Sequence, residues 1–228
     1  MVKLIVPEGE TPTDDWTALD VVSVVAGLPA PPPGRPLIIT VDGRSASGKS
    51  TLADTLSAAI PRSCVVHTDD LAWQESFFGW DHLLRDVLTP LHRGEPVVFR
   101  PPAWELHGRE GAITVSDDCR VAIVEGVGAS RREVADLVDH AIWVQSDFAE
   151  AERRGIARDV AHGMNGDAAA STAFWHRWMA QELTFLAEDR PWTRADLIVA
   201  GAAPIPLEKD QLAVAVGPGA YVAAKLTP

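Results

Sequence analysis

Apolar residues recur along this chain in short, nearly uninterrupted runs separated by stretches with helical spacing. The clearest run is Leu37-Ile38-Ile39-Thr40-Val41, whose β-branched content and lack of polar alternation suit a strand buried on both faces of a parallel sheet. After a glycine-containing loop, Leu52, Leu56 and Ala59 fall on one helical face, which predicts a helix over 50–60 that Pro61 stops. Similar runs predict strands over 64–68, 120–126, 140–146 and 195–201, with a helix around 81–92. Five apolar strands alternating with helical segments predict an α/β fold: a doubly wound, five-stranded parallel sheet with its ligand site beyond the carboxyl ends of the strands.

The remaining segments are punctuated differently. Prolines, Gly108, Gly111 and short β-prone pieces between 96 and 116 predict a small β-rich, hairpin-like excursion beside the site. The segment 163–170 is rich in glycine and alanine and lies between two helical stretches, so it reads as the mobile part of a helical lid spanning about 154–170. Before the first strand, an acidic turn (Thr13, Asp14, Asp15) predicts a cap for a helix over 16–26, followed by the proline-rich PAPPPGRP. The expected organisation is an N-terminal arm (1–36), a nucleotide-binding domain (37–201) and a C-terminal extension packed on it (202–228).

Composition narrows the partners. The formal net charge of −12, with no runs of Lys or Arg, disfavours a nucleic-acid-binding surface. The longest apolar stretch near the N-terminus, 21–28, is too short to span a bilayer or to direct secretion, so no membrane partner and a cytoplasmic location are expected. Cys64 and Cys119 lack zinc-site spacing and give no sequence basis for pairing; reduced structural thiols are expected.

The loop after the first strand carries the most specific chemistry. Gly43-Arg44-Ser45-Ala46-Ser47-Gly48-Lys49-Ser50 fits G-x-x-x-x-G-K-[ST], and Thr51 follows it. Glycines let the chain curl so that successive N–H groups point at phosphate oxygens, with the positive end of the helix dipole behind them. In this pattern Lys49 reaches the β- and γ-phosphates of ATP and Ser50 coordinates Mg²⁺.

Phosphoryl transfer also needs a group to orient and deprotonate the acceptor hydroxyl, and acids near the metal. Asp69 and Asp70 follow the second strand at the expected sheet edge. Adjacent carboxylates resist joint burial, so one faces the acceptor and the other a metal, a basic partner or solvent; a solvated acidic turn would have the same sequence. Glu125 ends the third strand where a metal-associated carboxylate belongs, or where a surface acid would end a strand. Arg153, Arg154 and Arg158 lie on one helix, with 154 and 158 sharing a face. They fit either clamps on a transferring phosphoryl group or surface partners of Glu150 and Glu152.

Taken together, GRSASGKST, HTDDLAW, WDHLLRDVLTPLHRG, W-E-L-H-G-R at 104–109, VEGVG, the RDV at 158–160 and the final ADLIV resemble the uridine kinase-like branch of the P-loop kinases, which also includes phosphoribulokinase and pantothenate kinase. The resemblance spans 37–201. It implies that Asp69 is the base for the acceptor hydroxyl, that Asp81 binds ribose hydroxyls, and that Trp104, His107 and Arg109 occupy the segment touching the nucleobase. It further implies that Arg154 and Arg158 act from the lid helix. The acceptor side departs from the family pattern: Trp104 replaces a tyrosine, the His-x-Arg segment lies two residues closer, and the stretch between Asp69 and Asp81 is shorter. The lid's Arg-Gly-Arg is replaced by His162-Gly163-Met164. Trp73, Trp80, Trp104, Trp175 and Trp178 either wall an acceptor pocket or anchor the core. The resemblance implies a kinase that phosphorylates the hydroxyl of a nucleoside or nucleoside-like molecule. A sugar, a vitamin precursor or an antibiotic is the alternative acceptor, and a non-catalytic nucleotide-binding protein the alternative role; a homodimer is left open.

Overall fold

A computed structural model describes residues 5–6, 8–163 and 165–220. The first four residues and Pro7 of the expected arm, Met164 of the expected lid, and 221–228 of the expected extension lie outside the described residues.

The chain alternates strands and helices from β2 (Leu37–Gly43) onward: α2 (Lys49–Ala59), β3 (Ser63–His67), α3 (Thr68–Ala72), α4 (Asp81–His92), β6 (Val121–Glu125), β7 (His140–Gln145), α6 (Phe148–His162), α7 (Ala168–Asp189) and β8 (Leu197–Ala200). Ahead of these come β1 (Thr17–Asp20) and α1 (Val21–Ala26), and β9 (Gln211–Val216) follows them. Between α4 and β6 the short strands β4 (Val97–Phe99) and β5 (Ile113–Val115) pair antiparallel around α5 (Pro102–Leu106), forming the small excursion.

The main sheet has seven strands rather than five, in the order β1-β9-β8-β7-β2-β6-β3. The five from β8 to β3 are mutually parallel, whereas β9 and β1 add antiparallel at one edge. The extra strands come from the two chain ends. In β9, Leu212, Val214 and Val216 alternate with alanines, a period-2 pattern suited to a strand with one covered face. In β1 only four residues pair, too few for periodicity to register. The helix expected over 16–26 begins only at Val21. Asp20 caps it, accepting from the Ser23 amide at 2.6 Å, so Asp14 and Asp15 are not its cap.

β2 shows why the sheet is covered on both faces. Ile38 joins Leu84, Leu88, Leu91 and Trp80 in one apolar layer, while Leu37, Ile39 and Val41 join Leu52, Leu56 and Ile142 in the other. Alternate side chains of one fully buried strand thus feed two cores, with α4 on one side and α2 on the other. This stacking fixes β2, β6 and β3 side by side, so their carboxyl ends open onto one edge of the sheet.

Candidate active site

The loop 43–48 leaves the end of β2 and runs directly into α2, whose first residue is Lys49. Its shape needs glycine. Gly43 has φ 154°, and a Cβ there would lie 2.7 Å from the Val144 carbonyl oxygen and 2.9 Å from Ser47 Oγ. Gly48 has φ 107° and serves as the left-handed N-cap of α2. The Lys49 ammonium bends back to donate to the Arg44 carbonyl oxygen at 2.7 Å. The Ser47 hydroxyl is buried without a protein partner.

Asp42, the residue before the loop, is fully buried and accepts from the amides of Gly43, Gly128 and Ser130 and from the Ser130 hydroxyl at 2.7–2.9 Å. Burial pushes its pKa up, and these donors oppose the shift. The carboxylate thereby ties the loop after β6 to the loop after β2. A second tie comes from the segment ahead of β1: Arg44, buried within the loop, pairs with Glu10 at 2.5 Å. Glu10 also accepts from Trp143 Nε1 at 2.8 Å and Gln145 Nε2 at 3.0 Å.

The loop opens onto a cavity of about 540 Å³. Ser45, Ala46, Gly48, Lys49, Ser50 and Thr51 line one side. Asp69 enters from the first turn of α3, just past β3, Glu125 from the end of β6, and Arg154 and Arg158 from α6; Trp175 and Trp178 of α7 close the wall. Five sequence-distant segments therefore converge on one space.

Electrostatics within it are graded. Burial alone would raise Glu125, but the His67 hydrogen bond at 2.9 Å, the Lys49 charge and the Ser50 hydroxyl at 3.1 Å hold its carboxyl below the usual range. The same hydrogen bond pushes His67 upward. Asp69 goes the other way. Desolvation by the cavity walls raises its pKa; Lys49 and Arg158 oppose that shift, whereas Glu125 reinforces it. Asp69 keeps substantial solvent exposure because the cavity it lines is open, so the upward shift is a local effect of the walls and not of deep burial. One carboxylate is thus kept ionised, while its neighbour is made more basic.

Ser50 and Glu125 present hard oxygen atoms suited to Mg²⁺, and no group of three or more His, Cys, Asp or Glu side chains among the described residues forms a cation cage. That donor set fits a metal that keeps several waters and shares its shell with phosphate oxygens.

The residues expected on the acceptor side are dispersed. Asp70 turns from the cavity and pairs with Arg109, whose guanidinium lies 3.7 Å from the centre of the Trp104 ring. Trp104 is itself buried and donates from Nε1 to the Asp70 carbonyl oxygen at 2.9 Å. His107 meets Trp73 edge-on at 5.8 Å. Asp81 lines a second cavity of about 430 Å³ with Phe77, Phe78, Arg131 and Phe185. Phe78 packs against Trp178, so an aromatic wall stands between the two spaces. Trp80 and Trp104 are core residues, whereas Trp175 and Trp178 line the cavity. Of the three arginines, Arg153 makes an exposed pair with Glu150; Arg154 donates to the Gly201 carbonyl oxygen at 3.2 Å, and Arg158 pairs with Asp159 at 2.9 Å.

Sequence reasoning missed Asp42, Glu10, His67 and Glu182. The carboxylate of Glu182, on α7, is fully buried and accepts from the Ser45 amide and hydroxyl and from Trp178 Nε1. His67, at a strand end two residues ahead of the paired aspartates, and Asp42, directly ahead of Gly43, had a positional signal; Glu10 and Glu182 had none.

No family model matches the chain. In sequence it is 28% identical over 132 residues to nicotinamide riboside kinase 2 of Mus musculus, covering 54% of this chain and 68% of that protein. It is 25% identical over 148 residues to uridine kinase of Clostridium tetani, covering 55% and 69% respectively. Among solved structures, a putative fructose transport system kinase from Silicibacter sp. TM1040 superposes with TM-score 0.51 at 24% identity, covering 75% of this chain and 94% of the other. D-glycerate 3-kinase from Cryptococcus neoformans superposes with TM-score 0.55 at 15% identity, covering 79% and 92%. The two structures establish a shared fold, and the two sequence relatives support an enzyme of the small-molecule kinase class. No helix among the described residues is long and apolar enough to cross a membrane.

Proposed function

We propose that this protein transfers the γ-phosphoryl group of ATP to the hydroxyl of a nucleoside or nucleoside-like small molecule. The observation that carries the reading is the convergence of the loop 43–48, Lys49, Asp69, Glu125, Arg154 and Arg158 on one cavity.

The triphosphate would lie along the loop, its oxygens accepting from the amides of 46 and 48–51, while the Ser45 and Ser47 amides stay with Glu182 and the Arg44 carbonyl oxygen and help shape the turn. Lys49 exchanges the Arg44 carbonyl oxygen for the β- and γ-phosphates. Mg²⁺, when bound, neutralises charge on the phosphate oxygens, and Ser50 and Glu125 would hold it. His67 keeps the Glu125 carboxylate oriented through its ring nitrogen. Asp69 accepts the proton of the acceptor hydroxyl as the oxygen attacks the γ-phosphorus and the bond to the bridging oxygen breaks; its raised pKa suits it to hold that proton. Arg154 and Arg158 meet the charge spread over the transferring group. In this reading 154–170 acts as a lid closing over bound ATP, and 37–201 is the catalytic unit.

The dispersal of Asp70, Trp104, His107 and Arg109 into internal contacts favours a second reading, in which the acceptor is a sugar, a vitamin precursor or an antibiotic. An ADP-release screen over nucleosides and other alcohols separates the two: turnover of uridine, cytidine or a related riboside at ordinary KM supports the first. Turnover only with other alcohols supports the second. ATP-dependent thermal stabilisation without acceptor-stimulated ADP release refutes both.

A further inference from the structure

Cys64 lies on β3, the edge strand of the main sheet, and Cys119 lies just ahead of the neighbouring β6. Parallel pairing sets Ser63 against Val121 and Cys64 against Ala122, while the Arg120 amide donates to the Arg62 carbonyl oxygen at 2.8 Å. This register folds Cys119 back beside Cys64, and the two thiols touch at 2.7 Å between sulfurs. Both sulfurs also face the Val121 carbonyl oxygen. Cys119 lines a surface cavity of about 310 Å³ whose other walls include Asp117, Arg120 and the proline-rich segment before β2. Nothing in the proposed phosphoryl transfer uses either thiol.

We propose that Cys64 and Cys119 form an oxidisable dithiol that closes to an intramolecular disulfide by exchange with a low-molecular-weight disulfide entering the cavity beside Cys119. Cys119 reacts first, because of the two thiols it alone lines that cavity; once it is deprotonated, the remaining Cys64 thiol can donate to it. The Cys119 sulfur attacks one sulfur of the reagent, a mixed disulfide forms, and one thiolate leaves. Cys64 then loses its proton to solvent, and its sulfur attacks the Cys119 sulfur; the second reagent thiol leaves. The protein gives up two electrons and two protons, and the reagent disulfide becomes two thiols. The bridge fastens the edge strand β3, whose far end leads to Asp69, to its neighbour β6.

The test uses the full chain, reduced and then exposed to oxidised glutathione, with intact mass, a non-reducing digest and thermal melting as readouts. The expected result is loss of both free thiols without a retained glutathione adduct, a Cys64–Cys119 cross-linked peptide, and a melting temperature raised by roughly 4–16 °C that reductant reverses. In Cys64→Ser the glutathione adduct should persist on Cys119, because the resolving thiol is gone. Two free thiols after treatment, or stable adducts on the parent chain, overturn the proposal. So does a cross-linked chain that melts below the reduced one, because the bridge would then need a rearranged fold. The parent-chain measurements decide the matter even if the serine variant fails to fold.

Discussion

Replacing Glu10 by alanine tests whether a residue far from the loop 43–48 in sequence holds that loop in place. Glu10 and Arg44 each have about 1% of their side-chain surface exposed, and Glu10 gathers donors from Arg44, Trp143 and Gln145. Arg44 Nε and Nη1 already lack partners, so the Glu10 contact is its compensation within the protein. Removing the carboxylate strands a buried guanidinium and two further donors, a loss of about 3–5 kcal/mol by the behaviour of broken buried pairs. For a chain of this size that corresponds to a fall of roughly 6–20 °C in melting temperature. Urea unfolding of Glu10→Ala, Arg44→Met and the Glu10→Leu/Arg44→Met double variant checks the reasoning. The double variant should recover most of the loss, because an apolar replacement of a buried pair removes its desolvation cost. ATP affinity in Glu10→Ala should also weaken, since the Arg44 carbonyl sits against the Lys49 ammonium. A Glu10→Ala protein within about 1 kcal/mol of the parent would refute the arm's role in seating the loop.

Asp69→Asn should lower kcat by about 10²–10⁴ with little change in the ATP KM, measured by coupled ADP release, whereas Lys49→Ala should abolish turnover; equal losses in kcat and ATP affinity for Asp69→Asn would remove it as the base. The His67–Glu125 pair should leave a pH signature in melting temperature. His67 has a raised pKa, so its contribution is complete below its ordinary 6.5 and fades as pH rises through the higher folded value; Glu125 has a lowered one, so its contribution is complete above its ordinary 4.5 and fades as pH falls through the lower folded value. The pair therefore contributes most between those values, modestly because His67 is half exposed, and His67→Gln should flatten the decline above pH 6.5. Gly155→Ala would drive a Cβ into the Trp175 ring where α6 crosses α7, and a loss of about 1–3 kcal/mol in denaturant unfolding is expected.

Local sequence determined the parts of this protein that depend on local chemistry. Glycines at 43 and 48, followed by a Lys-Ser pair, dictate a loop shape whatever lies elsewhere, and doubly apolar runs such as 37–41 read as interior strands because neither face can meet water. Asp69 and Glu125 were legible because each ends or follows such a run, where a parallel sheet opens. What the sequence could not carry were pairings over long separations. Strand β1 is too short to show a period, and it exists because β9 offers it an edge. The Glu10–Arg44 pair joins residues 34 apart, and Glu182 reaches Ser45 across 137. The residues expected on the acceptor side show the same limit. Asp70 and Arg109 each have a charge that could face a ligand, yet tertiary packing sets Arg109 over Trp104 and spends both charges on each other. A side chain's type states which interactions it can make; which of them it does make depends on what the rest of the chain brings within reach.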